Sequence, residues 1–363
     1  MSGPAVIAPP LPYSHLVALT DAQGLFEHAL LDRPRAEHGY CVDDVSRALV
    51  VVAQEPEQTD DTRRLTERYL RFLEGAVEAD GSAHNRLSPE GEWTDEAGLG
   101  DWWGRSVWAA GVVAASAELP LTRRRALKLF LRLAQRRSPY LRAMTFAALG
   151  AAEVLIERPS SAAAAELLAD AVPMLLVGSG SDSAWPWPEE RLRYANGCIP
   201  EALLAAGEAL ENPPLLDRGF AALEFLLEVE SREGLLSVTG VAGRAPGDRD
   251  VALFDQQPIE VAAIAAACAR ALTLEEDPLW RDGLAACWAW FHGVNDSATP
   301  MVDPATGAGY DGLERHGRNE NRGAESTIAA LHTSLVVRRA HLLPVRSHAG
   351  GTAPVTSIAA VSR

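Results

Sequence analysis

No stretch of about 18 apolar residues free of charge occurs in this 363-residue sequence, so no membrane-spanning helix and no membrane insertion are expected. Basic residues are short as well: 33 Lys and Arg face 49 Asp and Glu, a formal net charge of −16. That deficit speaks against nucleic acid and anionic membranes, both of which demand a dense basic surface. Cysteine is sparse, with Cys41, Cys198, Cys268 and Cys287 scattered and no CxxC pair. This is the usage of reduced thiols in a cytoplasmic protein. Met1 to Tyr13 is proline-rich and offers neither a basic start nor an apolar segment, so it does not read as a secretory signal. There is no phosphate loop of the P-loop type and no GxGxxG after a strand, so nucleotide use is not expected and no cofactor is implied. β-Branched runs long enough for several paired strands are missing; Leu235 to Val241 could pair locally, nothing more.

What is present is helix. Hydrophobic residues make up 47% of the chain, enough to exclude disorder as its main state. Two kinds of helical stretch alternate. One kind is amphipathic with a charged face: a short Asp21 to Leu31, then Thr59 to Glu78, Leu121 to Arg137, Ser161 to Val177, Pro214 to Glu230 and Pro278 to His292. The other is Ala-rich and apolar on most sides: Asp44 to Ala53, Gly104 to Ala117, Tyr140 to Ile156, Pro200 to Leu210, Pro258 to Leu272 and Ala324 to His341. A helix apolar all round must be buried all round. Six outer and six inner helices predict six αα-hairpins closed into an all-α (α/α)6 barrel over residues 21–343. Residues 1–20 read as an extension and 344–363 as a flexible tail.

The connections into the inner helices are long, as at Asp80–Trp103, Gly178–Asn196, Ser231–Gln257 and Gly293–Gly323, and loops of that length in a compact domain are usually functional. The opposite connections, such as Gln54-Glu55-Pro56 and Leu119-Pro120, read as plain turns. In a closed ring the long loops meet at one end, where six helix N-termini favour negative charge. They would bring together Tyr40, Asp43 and Asp44; Asp101, Trp102, Trp103 and Arg105; and Trp187, Tyr194 and Asn196. Asp255, Gln257 and Glu260 would join them, with Asp311, Asn321 and Glu325 from the last loop. Each has a bland role too: first-turn carboxylates cap helices, indoles fill cores, and arginines pair with neighbouring acids. Gathered in one cup, they are a sugar-binding set, with aromatic faces for pyranose rings and carboxylates and carboxamides for hydroxyl groups. Cleavage of a glycosidic bond needs two carboxyl groups, one of them protonated. Asp44 paired with Glu325 or Asp255 is the expected couple.

Four strings, His38-Gly39-Tyr40-Cys41-Val42-Asp43-Asp44, Gly104-Arg105-Ser106-Val107-Trp108-Ala109, Phe254-Asp255-Gln256-Gln257-Pro258-Ile259-Glu260 and Asn319-Glu320-Asn321-Arg322-Gly323-Ala324-Glu325, resemble those of bacterial six-hairpin glycosidase-like proteins. They are most similar to the group that accompanies, or is fused to, glycosyltransferases. The resemblance covers about His38 to Leu335 and implies an (α/α)6 toroid with a carbohydrate-related site. The sequence departs from the pattern at Val45-Ser46, at Arg322 and at Trp102-Trp103. Two functions stay open: an inverting glycoside hydrolase, or a phosphorylase with Arg105, Arg193 or Arg322 holding the anion, acting on a soluble oligosaccharide or glycoconjugate; and a non-catalytic carbohydrate-binding or scaffold subunit of a glycosyltransferase. An epimerase would need paired histidines, for which His38, His84 and His316 are the candidates. Terpene cyclisation at Asp43-Asp44 and a zinc site from Cys41, Cys198 and His38 are weaker alternatives.

Overall fold

The computed structural model describes residues 9–176, 185–248 and 253–342; the tail 344–363 and parts of the loops at 178–196 and 231–257 lie outside the described residues. Among the described residues there are twelve α-helices and eight strands of two or three residues. The inner helices are α2 (Val42–Gln54), α4 (Asp101–Ser116), α6 (Leu141–Glu157), α8 (Cys198–Ala209), α10 (Pro258–Leu274) and α12 (Ala324–Leu342). Each packs on the next, and α12 packs on α2, so the ring is closed. Outside them lie α1 (Ser14–Ala18), α3 (Asp60–Ala76), α5 (Pro120–Leu133), α7 (Ala162–Leu175), α9 (Pro213–Val229) and α11 (Pro278–Phe291). The molecule is an (α/α)6 barrel, as the alternation of helix types predicts. None of its described helices is long and apolar enough to cross a membrane.

Small residues set how closely the inner helices approach. A Cβ on Gly111 of α4 would lie 2.2 Å from the carbonyl oxygen of Gly150 on α6, so any larger residue there would force the two helices apart. Several helices start on strong signals: a reciprocal Thr59–Thr62 capping box opens α3, and Pro occupies the first turn of the outer helices α5, α9 and α11 and of the inner helix α10.

The first outer helix is not where the sequence pattern puts it. Instead of helix, Asp21 to Leu31 forms a turn and the strand β1 (Ala29–Leu30), which pairs with β2 (Arg33–Pro34). Asp21, a plausible helix cap by sequence, accepts instead from the backbone N–H groups of Gln23 and Gly24 at 2.8 and 3.0 Å, closing an Asx turn. The outer position is taken by the five-residue α1, and Leu11, Leu16 and Leu19 around it are buried in the common core.

At the plain end, connections such as 117–119, 210–212 and 275–277 are three residues long. Glu55, which reads as part of a turn, does more. Its carboxylate accepts from Arg338 at 2.6 and 3.0 Å and from the Tyr13 hydroxyl at 2.8 Å, tying the end of α2 to α12 and to the N-terminal segment across the ring closure. The other end carries β3 (Tyr40–Cys41) with β4 (Arg86–Leu87), β5 (Ser231–Arg232) with β6 (Leu235–Leu236), and β7 (Gly312–Glu314) with β8 (Gly317–Asn319), all antiparallel.

Candidate active site

The cup is built on caps supplied from elsewhere in the chain. Helix α2 has no side-chain cap of its own. The pairing of β3 with β4 delivers Asn85, whose Oδ1 accepts from the Asp43 N–H at 3.4 Å and from the Cys41 thiol at 3.3 Å. That pairing requires Gly39: its φ is +70° and a Cβ would sit 2.3 Å from the Leu87 carbonyl oxygen. At the start of α12 the Asp311 Oδ1 accepts from Gly323 N–H at 2.7 Å and Ser326 Oγ at 2.6 Å, and the Ala324 N–H goes to the Glu27 carbonyl at 3.0 Å.

These helix starts surround a cavity of about 890 Å³. Its floor is an ion-pair cluster. Arg47, one turn into α2, holds Asp44 Oδ1, Asp43 Oδ2 at 3.4 Å and Glu325 Oε2 at 3.0 Å through the single nitrogen Nη2. Arg105 of α4 takes the same Asp43 oxygen and lies 4.5 Å from the centre of the Phe146 ring. Asp44 is only 3% exposed. Burial pushes its carboxyl up to about 7, an effect that Arg47 opposes and the neighbouring Asp43 reinforces. Three carboxyl groups against two guanidinium groups leave one negative charge too many, and the most buried of the three relieves it by keeping its proton.

One wall of the cavity is a braced turn. Arg142 donates to the backbone oxygens of Tyr194 and Ala195 at 2.6 and 3.2 Å and to Asn196 Oδ1 at 3.0 Å. From the other side Glu260 accepts from Ala195 N–H, from Asn196 N–H at 3.1 Å and from Asn196 Nδ2 at 2.9 Å. Burial raises Glu260 to about 7, and its oxygens are spent on the turn. The brace holds Tyr194 so that its hydroxyl donates to Asp101 Oδ2, whose own carboxyl is raised by burial. Trp102 stands beside it, its Nε1 donating to the Ala83 carbonyl at 2.7 Å. Trp102 and Tyr194 are the aromatic platforms of the wall among the described residues.

Of the residues singled out by sequence, Asp43, Asp44, Asp101, Trp102, Arg105, Tyr194, Gln257, Glu260, Asp311 and Glu325 line the cavity together. Six do not. Tyr40 is 2% exposed, stacked 4.9 Å from Phe26 with its hydroxyl on Asp21. Trp103 is fully buried, because one step along a helix turns the side chain about 100° away from its neighbour Trp102. Trp187 is core against Phe225. Asn196 is consumed by the brace, and the Asn321 side chain accepts from the Leu31 N–H at 2.9 Å. Asp255 is exposed and off the cavity wall, which removes it as a partner for Asp44. Residues that the sequence reading missed include Glu27, His28, Asn85 and Arg86, which stand in or just before two-residue strands too short to recognise as a pattern.

His38, His84 and His316 do not line the cavity, and the zinc alternative fares poorly. His28 is the one imidazole on the cavity wall among the described residues. Cys41 has no Cys198 or His38 beside it; its neighbours are Glu27 and Asp44, with the three ligand atoms within 4.8 Å of one another. All three are engaged, Glu27 by Arg86, Asp44 by Arg47 and Cys41 by Asn85, and burial holds the Cys41 thiol protonated. A divalent cation would have to displace two guanidinium groups.

No protein-family description matches this sequence, and no curated protein matches it. Solved structures do. A sugar epimerase from a ruminal bacterium superposes with a TM-score of 0.66 at 12% identity, covering 88% of this chain and 94% of its own. Cellobiose 2-epimerase from Bacillus thermoamylovorans gives 0.69 at 9%, covering 92% and 96%. A GH76 α-mannanase from Bacteroides thetaiotaomicron gives 0.61 at 9%, covering 90% and 92%. At such identities the likeness is one of fold: about nine-tenths of the chain has the architecture of these (α/α)6 barrels.

Proposed function

We propose that this chain cleaves a glycosidic bond in the 890 Å³ cavity, with Asp44 as proton donor and Glu325 as the partner carboxylate. The observation that carries the reading is the buried Asp44 carboxyl, pushed up to about 7 on the floor of an open, polar cleft. A general acid works best with its pKa near the working pH, and a carboxyl raised by burial beside a second carboxylate is the arrangement glycosidases use. Trp102 and Tyr194 supply faces for sugar rings, while Asp101, Gln257 and Asp311 supply groups for hydroxyls. The carbohydrate enzymes among the structural neighbours support the substrate class.

The spacing alters the expected stereochemistry. An inverting pair stands about 6.5–9.5 Å apart to lodge a water, whereas a retaining pair stands about 5–5.5 Å apart. Asp44 and Glu325 accept from one and the same nitrogen of Arg47, which fits the shorter class, with Glu325 as nucleophile. The test is a mass-spectrometric screen of manno-, gluco- and galacto-oligosaccharides with and without phosphate, followed by NMR of the first-formed anomer. Shortened products of retained configuration, lost in Asp44→Asn and Glu325→Gln, are expected. Phosphate dependence would make the enzyme a phosphorylase. Saturable binding without cleavage would replace this reading by a non-catalytic subunit serving a glycosyltransferase, and neither cleavage nor binding would end the carbohydrate reading.

A further inference from the structure

Below the ion-pair floor the barrel axis is not filled. All six inner helices contribute to a chamber of about 40 Å³, with Trp108, Phe146 and Ile328 among its apolar walls and Arg47, Arg105 and Glu201 as its polar groups. Along α10 it runs from Ile259 to Ala266, a descent of about 10 Å at the helical rise. One face of that helix keeps a little accessible surface in the middle of the barrel: Ala262, Ala263 and Ala266 have 5–6% exposure, whereas Ala265 and Ala267 have none. The chamber shares Arg47, Arg105 and Ile259 with the cavity above it.

Three of its buried polar atoms are unpartnered. The heads of Arg47 and Arg105 are turned up to the carboxylates, but their Nε–H groups find no acceptor, and Glu201 Oε2 finds no donor, among the described residues. All three residues are more than nine-tenths buried. Burying such groups without partners costs free energy, so a guest that both donates and accepts is called for. Its size is bounded: one water needs roughly 10–15 Å³ on this scale, so the chamber admits about three atoms of that kind, an arm and not a ring. Burial brings His332, on the same wall, down to about 4 and Glu201 up to about 7, so it favours the neutral form of both groups at the deep end.

We infer that this axial chamber is the blind end of the substrate site and takes the exocyclic hydroxymethyl arm of a terminal hexose, which makes the protein selective for chain ends and for hexosides over pentosides. The inference rests on the carbohydrate reading above but not on catalysis. Three matched pairs of aryl glycosides that differ only in that arm (gluco/xylo, galacto/L-arabino, manno/lyxo) test it. The readout is kcat/KM where there is turnover and Kd where there is none, so loss of the enzyme reading alone does not decide the matter. At least one pair should favour the hexoside by about tenfold or more in the wild type. Ala266→Leu, which fills the chamber, should bring that ratio within about threefold, the loss falling on the hexoside more than on the pentoside. Should Ala266→Leu fail to fold, as judged by its thermal transition, Ala266→Val adds less bulk at the same point. Equal handling of both members by the wild type, or an equal loss of both in the filled variant, overturns the assignment. If no probe binds or reacts with the folded protein, the carbohydrate reading falls and takes the chamber with it.

Discussion

Replacing Asp44 by Asn should stabilise this protein at alkaline pH while abolishing its activity. Two forces compete at this carboxyl: burial favours its neutral form, and Arg47 favours its charged form. The structure gives burial the larger part, lifting the group from 3.8 to about 7. Between these values the folded protein holds a proton that the unfolded chain has released. Stability therefore falls as pH climbs through that window, and the whole penalty is present above 7. At about 1.4 kcal/mol per pH unit the penalty is capped at ~4 kcal/mol. The carboxamide of the Asp44→Asn variant imitates the protonated form at every pH and removes the penalty, less what Arg47 loses. That loss is limited because Arg47 keeps Asp43 at 3.4 Å and Glu325 at 3.0 Å. A net gain of about 1–3 kcal/mol at pH 8, shrinking below about 1 at pH 5, is the expected result of urea denaturation at the two pH values. A variant less stable than the wild type at pH 8, with a smaller deficit at pH 5, would refute the reasoning: Asp44 would then be an ordinary ionised partner of Arg47 and no proton donor.

Two further substitutions test the scaffold around the floor. Gly39→Ala should cost at least about 2 kcal/mol in urea denaturation, because its φ of +70° and the Leu87 oxygen 2.3 Å from a new Cβ leave no relaxed alternative; a loss below about 0.5 kcal/mol would mean that the β3–β4 pairing does not hold the start of α2. Glu260→Gln sets an amide NH2 against a site furnished with three N–H donors, and a loss of about 1–3 kcal/mol is expected. Sugar binding should weaken with it as Tyr194 leaves its place, whereas unchanged stability would mean that the turn stands without its brace.

The architecture could be read because its determinants are local and periodic. Ala-rich stretches such as Pro258 to Leu272 have no face fit for water and can only be inner helices, and five of the six outer helices carry a clear amphipathic stripe. The sixth failed for an equally local reason: Asp21 can cap a helix or close an Asx turn, and the choice is made by Tyr40, whose hydroxyl donates to Asp21 Oδ2 from across the fold at 2.7 Å. Glu55 was misjudged likewise, since nothing near it in sequence announces Arg338.

At the site, residue type was legible and direction was not. Trp102 and Trp103 look alike in the sequence, yet the helix sends one to the wall and the other into the core. Asn196 and Glu260 look like hydroxyl-binding groups, yet each satisfies the other. The string around Asp43-Asp44, one of the two that best announced the floor, opens a helix that has no side-chain cap of its own and borrows one from Asn85. The borrowing has a physical cause. A carboxylate spent on capping its own helix has no lone pairs to spare for a substrate, so a helix start that must keep its acids available needs its cap from another loop. Asp43 and Asp44 keep oxygens on the cavity while Asn85 does the capping. Asn85→Ala should therefore free the Asp43 N–H, and Asp43 would turn back towards its own helix N-terminus. Sugar affinity should then fall by more than the stability change accounts for, and equal affinity in a folded Asn85→Ala protein would show that the borrowed cap does nothing for the site.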